Sequence, residues 1–302
     1  ASAMSVILFI PSLVVFIIYS HFLREQQRGS KNLRQTQARM KKTGLYYLVL
    51  ALALFFIMWL IIQYLAIFSS AITDKYKGEV YFTLDNIKDT IPHIRDSFVR
   101  SIIYSLVAGF FASLIGLVLS FYSYILKSKF IKIIDFISNM PYIVPGTFFG
   151  LGYVFAFNEE PLKLTGTVII VILNLIFRQI PMSLRVIQSS MTQIERATLN
   201  SAKDLGAHNL YILKDMVLPM SYPGLFLSFT NAFISSMTTI GSIIFLVYPS
   251  RKLATFVLFD LASSGKYKVA SVLSCVIIIV CLSVSLISHR IFNRSSKYVS
   301  TN

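Results

Sequence analysis

The chain of 302 residues combines a high hydrophobic content with a strong positive charge. Hydrophobic residues make up 55% and charged residues 14%, with a mean hydropathy of +0.69 and a formal net charge of +15. Soluble proteins have about 25% charged residues, and nucleic-acid-binding proteins carry their basic charge on a polar surface. The composition therefore predicts a polytopic membrane protein and excludes a nucleic-acid partner.

Membrane spans are predicted wherever about 20 consecutive residues are mainly apolar, since a helix of that length crosses the hydrocarbon core. In chain order these segments are 3–20, 45–70, 99–125, 134–157, 165–184, 221–248 and 268–289. The predicted fold class is therefore all-α, a polytopic transmembrane helical bundle of about seven spans.

The distribution of Lys and Arg predicts the orientation, because cytoplasmic loops of membrane proteins are enriched in both residues. With segment 21–44 in the cytoplasm, 18 of the 28 Lys and Arg residues lie inside, and the net charge divides into +13 inside and +2 outside. We expect a multi-pass plasma-membrane protein with the N-terminus of this chain outside and the C-terminus in the cytoplasm.

The first span is separated from the other six by segment 21–44, which is polar and carries seven bases and one acid. It is predicted to be a cytoplasmic tether beside anionic lipid headgroups. On the outer side, segment 74–97 is amphiphilic, and a short interfacial helix is predicted from Tyr81, Phe82, Leu84, Ile87 and Ile91.

Two spans contain residues that bend helices or let them pack closely. Ala108, Ala112 and Gly116 recur every four residues in span 99–125, which predicts a close-packed face. Span 134–157 is expected to bend or break, which can line a cavity in transporters or be a merely tolerated kink. The residues responsible are Pro141, Pro145, Gly146, Gly150 and Gly152.

Polar residues in span 221–248 recur at helical spacing, which places them on one face. Two interpretations are open: hydrogen bonds to neighbouring helices, or the lining of a substrate pathway. Pro145 and Gly146 are further pathway candidates. In span 165–184, Arg178 either extends its side chain to water or acts as a gate or as a loop-anchoring contact. The polar stripe comprises Ser228, Asn231, Ser235, Thr238 or Thr239, and Ser242.

The sequence lacks the motifs of the common catalytic and nucleotide-binding sites. There is no P-loop G-x-x-x-x-G-K-[ST], no H-E-x-x-H and no G-x-S-x-G. The four His residues are scattered, and the two Cys residues lie in one apolar run. We therefore predict no catalytic residue, no metal ligand and no cofactor in this chain, which would not be an enzyme.

The predicted cytoplasmic loop 187–220 is the most informative stretch. It predicts two short helices, Glu195–Leu205 and Asn209–Val217. Gly206 would end the first, while Asn209 would cap the second, which would stop before Pro219. An amphipathic hairpin of this kind could seat in a groove on a soluble partner. The expected apolar face consists of Leu210, Leu213 and Val217.

This loop resembles the "EAA" loop of ABC importer permeases, whose pattern is E-A-A-x-x-x-G, nine residues, then I-x-L-P. Gly206 is followed by nine residues and then by Met216-Val217-Leu218-Pro219. Asn200 stands where the family has Glu, and Ser201 where it has the first Ala. The first part of the match reads Asn200, Ser201, Ala202, Lys203, Asp204, Leu205, Gly206 and Ala207.

The resemblance extends to permeases for ferric iron and 2-aminoethylphosphonate, through the segments 140–153 and 178–185. In that family two six-span halves are often fused by a basic linker. The resemblance implies that residues 1–20 are the last span of a preceding half and 21–44 the linker. Residues 45–302 would be a six-span permease domain of the type I fold with the coupling loop 187–220.

The function implied is that of a permease subunit of an ATP-driven importer for ferric iron. Phosphonate, polyamine or another small solute is the alternative within that class. The residues implied to contact the ATPase subunit are Asn200 to Ala207, with Leu218 and Pro219. ATP and Mg²⁺ would be bound by the ATPase subunits. The other partners implied are an extracytoplasmic solute-binding protein, a second permease half and membrane lipid.

An ion-coupled secondary transporter is a more distant alternative. Such proteins carry Asp or Glu within their spans to couple ion movement to transport. Carboxylates are absent from the middle of the predicted spans, which argues against it.

Overall fold

The computed structural model describes residues 44–76, 79–125, 129–192 and 194–299. Predicted span 3–20 and the linker up to residue 43 lie outside the described residues. The elements in chain order are α1 (Gly44–Ile72), β1 (Thr73–Tyr76), β2 (Glu79–Phe82), α2 (Asp85–Ile125), α3 (Lys129–Ile143), α4 (Gly146–Ala156), α5 (Val168–Met191), α6 (Arg196–Asp204), α7 (Asn209–Tyr211), a π-helical segment (Ile212–Val217), α8 (Leu218–Thr238), a 3₁₀ turn (Pro249–Arg251), α9 (Ala254–Ser263) and α10 (Tyr267–Val299).

This architecture confirms the predicted all-α membrane bundle. Among the described residues, four helices are long and apolar enough to cross a membrane: α1, α2, α5 and α10. They correspond to four of the predicted spans. The α3–α4 pair and α8 correspond to predicted spans 134–157 and 221–248. We call the end of the bundle at Ile125, Met191 and Leu218 the loop end, and the opposite end, at Ile72 and Thr238, the hairpin end.

The predicted interfacial helix at the hairpin end is wrong, because part of that segment forms a β-hairpin. Strands β1 and β2 pair antiparallel with Thr73 opposite Phe82 and Tyr76 opposite Glu79. Aromatic and β-branched residues favour extended backbone there. Ile87 and Ile91 instead belong to α2, which begins at Asp85, well before the predicted start of span 99–125.

Helices α2, α5 and α8 form the centre of the bundle and pack against one another, while α10 packs on α1 and α8. Ala108 and Ala112 are completely buried. A Cβ atom at Gly116 would lie 2.8 Å from Cβ of Ser183 and 3.1 Å from the backbone nitrogen of Leu184. The predicted close-packed face of α2 is confirmed, and it lies against α5.

Replacing Gly116 by valine is expected to lower the thermal unfolding midpoint of the purified protein. The added side chain would meet the backbone of α5, and overpacking of this kind costs about 1–3 kcal/mol. Leu114→Val is the control, because Leu114 lies on the exposed side of the same helix. Equal midpoints for the two variants, measured by a fluorescence melt in detergent, would contradict the packing at Gly116.

The sixth predicted span ends earlier than expected. Helix α8 stops at Thr238, and Thr239 has an extended backbone with φ −74° and ψ 142°. The residues that follow form turns rather than helix. Two successive threonines and Gly241 are poor helix formers, which accounts for the early end. The prediction that Ser242 lies on a helical face with Ser228 is therefore wrong.

Candidate coupling loop and membrane pathway

The loop between α5 and α8 rests on an apolar platform at the loop end of α2 and α5. The platform joins buried side chains of these two helices to buried side chains of the loop, which therefore continues the core of the bundle. Its members are Leu117, Phe121, Ile187, Met191, Ile194, Leu199, Ile212 and Val217. A loop fixed in this way can transmit a displacement to the helices beneath it.

Polar contacts of Tyr124 add to the attachment of α6. The Tyr124 hydroxyl donates a hydrogen bond of 2.9 Å to the carbonyl oxygen of Ile194. The guanidinium carbon of Arg196 lies 4.7 Å from the centre of the Tyr124 ring, within the range of a cation–π contact. The end of α2 therefore holds the residues just before α6 and its first residue.

Helix α6 ends at Gly206 as predicted, and the helix itself, Arg196–Asp204, lies within the predicted Glu195–Leu205. Gly206 has φ +86°. Its N–H donates to the carbonyl of Lys203 at 2.8 Å, and the N–H of Ala207 donates to that of Ala202 at 3.0 Å. These two bonds form the Schellman motif, which satisfies carbonyls at a helix end.

Gly206→Ala is expected to destabilise the end of α6 by about 1 kcal/mol, because alanine pays a conformational cost at positive φ that glycine does not. No atom lies within 4 Å of a Cβ at this position, so the effect is purely a backbone one. Gly152→Ala is the control: it is equally open but lies inside a helix. We expect amide hydrogen exchange across α6 to be faster in the Gly206 variant and unchanged in the Gly152 variant.

The second loop helix begins at Asn209 as predicted but differs from the prediction in its cap and its end. The cap is His208 rather than Asn209, since the N–H of Leu210 donates to Nδ1 of His208 at 3.4 Å. The helix does not stop before Pro219. The π-helical segment carries it into α8, and Pro219 lies just after the start of α8.

The π-helical segment also changes which residues face the platform. Ile212 and Val217, five residues apart, are both buried, and five is the hydrogen-bond spacing of a π-helix. Leu210 is 61% exposed. The prediction that Leu210 shares one face with Leu213 and Val217 is therefore wrong.

The tip of the loop presents apolar side chains to its surroundings. Leu205 is 88% exposed, Leu210 61% and Tyr211 66%, and these residues flank the Gly206 turn. Of the residues singled out in the sequence, Ala202, Ala207 and Leu218 are partly buried against the platform. The exposed ones are Asn200, Ser201, Lys203, Asp204, Leu205, Gly206 and Pro219. We call Leu205, Leu210 and Tyr211 the tip residues.

The predicted polar stripe of α8 is divided in the structure between two environments. Ser228 is buried, and its hydroxyl donates a hydrogen bond of 3.2 Å to the Ser113 hydroxyl of α2. Ser235 and Thr238 are exposed, and Asn231 and Thr239 are partly exposed. Ser228 therefore joins two helices, whereas the pathway role of the other four residues stays a prediction.

The predicted break in span 134–157 is confirmed, with α3 ending at Ile143 and α4 beginning at Gly146. A Cβ atom at Gly146 would lie 3.2 Å from the backbone nitrogen of Ser242, and one at Gly150 only 2.4 Å from its carbonyl oxygen. Two glycines thus let α4 lie directly against the turns that follow α8. The structure therefore brings together Gly146 and Ser242, which are both pathway candidates.

Arg178 anchors the residues between α3 and α4, while its predicted role as a gate stays a prediction. Its Nη1 atom donates hydrogen bonds to the carbonyl oxygens of Pro141 and Val144, the latter at 2.9 Å. The guanidinium carbon lies 5.9 Å from the centre of the Phe149 ring. A signal for this contact was available in the sequence, since Pro145 lacks the N–H that would otherwise bond to the Pro141 carbonyl.

A polar network at the loop end joins α2, α3 and α5. The Ser123 hydroxyl donates to Oδ2 of Asp135 at 3.0 Å, and Nε2 of Gln188 donates to the Ser123 hydroxyl at 3.4 Å. Arg185 donates to Oδ1 of Asn139 at 3.3 and 3.4 Å. Sequence reasoning did not find this network, because its residues are far apart in the chain. Within the described ranges, no three His, Cys, Asp or Glu side chains are grouped so that they could hold a metal ion.

Comparison with known families decides the class of the protein. Residues 108–298 match the family described as binding-protein-dependent transport system inner membrane component. The chain belongs to this family. The matched region runs from the middle of α2 into α10 and includes the loop and the break. The resemblance to ABC importer permeases is thereby confirmed. The match also confirms the predictions of a multi-pass inner-membrane protein and of a transport component rather than an enzyme.

Relatives include permeases for several solutes. The chain is 25% identical over 293 residues to the ferric transport system permease protein FbpB of Actinobacillus pleuropneumoniae, covering 95% of this chain and 43% of that protein. It is 26% identical over 254 residues to a putative FbpB of Haemophilus influenzae, covering 82% and 40%. A putative 2-aminoethylphosphonate permease of Salmonella typhi is 23% identical, covering 79% and 92%. The chain thus spans less than half the length of both ferric relatives.

Solved structures share the fold of this permease chain. A bacterial alginate ABC transporter, in complex with alginate pentasaccharide-bound periplasmic protein, aligns with a TM-score of 0.66 and 16% identity, covering 83% of this chain and 94% of that one. A chain of the MetNI methionine ABC transporter in an inward-facing conformation aligns with a TM-score of 0.57 and 16% identity, covering 67% and 95%. At these identities the similarity concerns the fold.

Proposed function

We propose that this chain is the C-terminal half of the permease of an ATP-driven importer for ferric iron. The substrate assignment is supported by the two ferric relatives, which match across most of the chain. Residues 1–20 would be the last span of a preceding half, 21–44 a basic linker, and 45–302 the six-span domain. The N-terminus of this chain would face outside and its C-terminus the cytoplasm.

The observation that carries the proposal is the exposure of the tip residues on a loop fixed to the helices. Leu205, Leu210 and Tyr211 extend from a loop whose other side is buried in the platform. Large apolar side chains exposed together indicate a protein interaction site. The tip residues would enter a groove of the ATPase subunit, in the manner of an amphipathic helix in a partner's groove.

The coupling step would follow from the attachment of the loop. ATP and Mg²⁺, bound by the ATPase subunits, would drive those subunits together. Because Leu199 and Ile212 are buried beside Phe121 and Ile187 in the platform, displacement of the loop would displace α2 and α5 as a rigid body. Residues Asn200 to Ala207, with Leu218 and Pro219, would form this coupling surface.

The pathway would run beside the exposed polar side of α8. Asn231, Ser235, Thr238 and Thr239 carry hydroxyl or amide groups that remain accessible in this chain. Polar side chains at membrane depth are stable when they line a polar cavity. A second permease half would close the pathway opposite them, and a solute-binding protein would deliver the substrate from outside. Lipid would cover the apolar surface of α1.

Uptake into proteoliposomes tests the substrate. We expect ⁵⁵Fe(III) to accumulate when ATP, the ATPase, the complete permease and the cognate solute-binding protein are present. Excess unlabelled Fe(III) should abolish accumulation, whereas 2-aminoethylphosphonate, sulfate and polyamine should leave it unchanged. Transport of labelled 2-aminoethylphosphonate without iron transport would replace ferric iron by phosphonate, which the Salmonella relative favours as second candidate.

A further inference from the structure

The break between α3 and α4 leaves backbone carbonyls without their usual helical partners. In an α-helix the carbonyl of Pro141 would accept from the N–H of residue 145, and Pro145 has none. The N–H groups of Phe148 and Phe149 both donate to the Pro145 carbonyl, not to that of Val144. Within a membrane such carbonyls need a partner from the protein, because lipid tails offer no donor.

Arg178 of α5 supplies the missing donor to both carbonyls. Its Nη1 atom donates to Pro141 and to Val144, and its guanidinium group lies over the ring of Phe149 in the first turn of α4. One side chain therefore contacts the end of α3, the break and the beginning of α4. The three contacts define the angle between these two helices.

We propose that Arg178 is a positioning residue for transport: it replaces the backbone donor that Pro145 removes and thereby fixes the α3–α4 break to α5. This proposal deepens the proposed function and rests on it. Met191, at the end of α5, lies in the platform beneath the coupling loop. Between Arg178 and Met191, α5 contains Pro181 in its interior and is about 20 Å long, so one helix joins the loop and the break.

A second connection keeps α3 aligned with α5 nearer to the loop. Arg185, two turns from Arg178, donates to Asn139, while Gln188 is linked through Ser123 to Asp135. Movement of α5 would therefore move α3 and carry the break with it. At the break, Gly146 and Gly150 lie against the backbone of Ser242, so the same movement would reach the pathway candidates.

The geometry at residue 178 suits arginine rather than lysine. The guanidinium group is planar, presents several N–H donors and stacks on aromatic rings. Arg178→Lys keeps the positive charge but loses the planar group that stacks on an aromatic ring and donates several hydrogen bonds. We expect Arg178→Lys to retain part of the function and Arg178→Leu to retain almost none.

The test combines a thermal melt with a second-site rescue. In the assembled complex in nanodiscs, Arg178→Leu should lower the unfolding midpoint, and Phe177→Leu, the exposed neighbour, should not. Adding Pro145→Ala to Arg178→Leu restores the N–H that Pro141 lacks, so the double variant should regain most of the lost stability. An equal loss in the single and double variants would overturn the proposal. This measurement needs no substrate, so it is independent of the iron assignment.

The transport readout separates positioning from simple stability. The double variant Arg178→Leu with Pro145→Ala should show basal ATP hydrolysis. Stimulation of that hydrolysis by the Fe(III)-loaded binding protein should fall about tenfold or more, because the restored helical hydrogen bond removes the break between α3 and α4. Full stimulation in Arg178→Leu itself would overturn the role of Arg178 in transport. If the unaltered complex shows no stimulation with iron, the iron assignment fails while the rescue in the melt still decides the role of Arg178.

Discussion

Leu205→Glu should abolish both the assembly of this permease with its ATPase and ATP-driven uptake. Leu205 is 88% exposed at the Gly206 turn and makes no contribution to the platform. A carboxylate placed in an apolar groove of the partner loses its hydration without gaining a partner charge, and buried unpaired charges are strongly destabilising. Truncation of a hot-spot side chain costs about 2 kcal/mol or more, and a buried charge in its place should cost more.

Co-purification of the tagged permease with the ATPase measures this effect directly. The ATPase should be lost from the Leu205→Glu sample while the permease itself keeps its thermal unfolding midpoint. Leu205→Met, which preserves size and apolar character, should retain the ATPase. Leu84→Glu is the matched control at the hairpin end, since Leu84 is also exposed. Retention of the ATPase by Leu205→Glu would contradict the assignment of the tip residues.

Gly150→Val should abolish transport by displacing α4 from the turns after α8. A Cβ atom at this position would lie 2.4 Å from the carbonyl oxygen of Ser242, closer than any real contact, and the obstacle is backbone rather than a movable side chain. Either α4 or the turn must shift, and Gly146 would lose its close approach to Ser242. Because pathway geometry and helix packing change together, we expect uptake to fall by at least about a hundredfold.

Gly152→Val provides the control for Gly150→Val. Gly152 lies two residues along the same helix, and no atom lies within 4 Å of its Cβ position. Both variants place the same β-branched residue in α4, so intrinsic helix propensity cancels. Uptake in proteoliposomes should be lost only in the Gly150 variant. Equal uptake in the two variants would show that the contact between α4 and Ser242 does not matter for transport.

Local signals in the sequence predicted the features that depend on one backbone position. Gly206 ends α6 because positive φ there requires glycine, and that requirement can be read from the sequence. The break at Pro145 and the small residues facing α5 follow equally from local sterics. The platform itself was not predicted, although the apolar residues that build it are visible, because it depends on α2 and the loop meeting in space.

Features set by tertiary context could not be read in the same way. The π-helical segment rotates Ile212 and Val217 onto the buried side, and a regular helical period misplaces Leu210 instead. Predicted span 221–248 is apolar throughout, yet α8 stops at Thr238 so that turns can meet α4. Hydrophobic residues occur both in membrane helices and in buried turns. Hydrophobicity alone therefore does not distinguish the two, and the end of span 221–248 was predicted too late.

Photocrosslinking at the loop tip tests whether the tip residues contact the ATPase. Benzoylphenylalanine would replace Leu205 in one sample and Phe82, an exposed residue of the hairpin, in the other, with the complex assembled in nanodiscs. We expect an ATP-independent crosslink to the ATPase from position 205 and none from position 82. A crosslink to the ATPase from position 82, or its absence at position 205 in an active complex, would contradict both the coupling surface and the orientation.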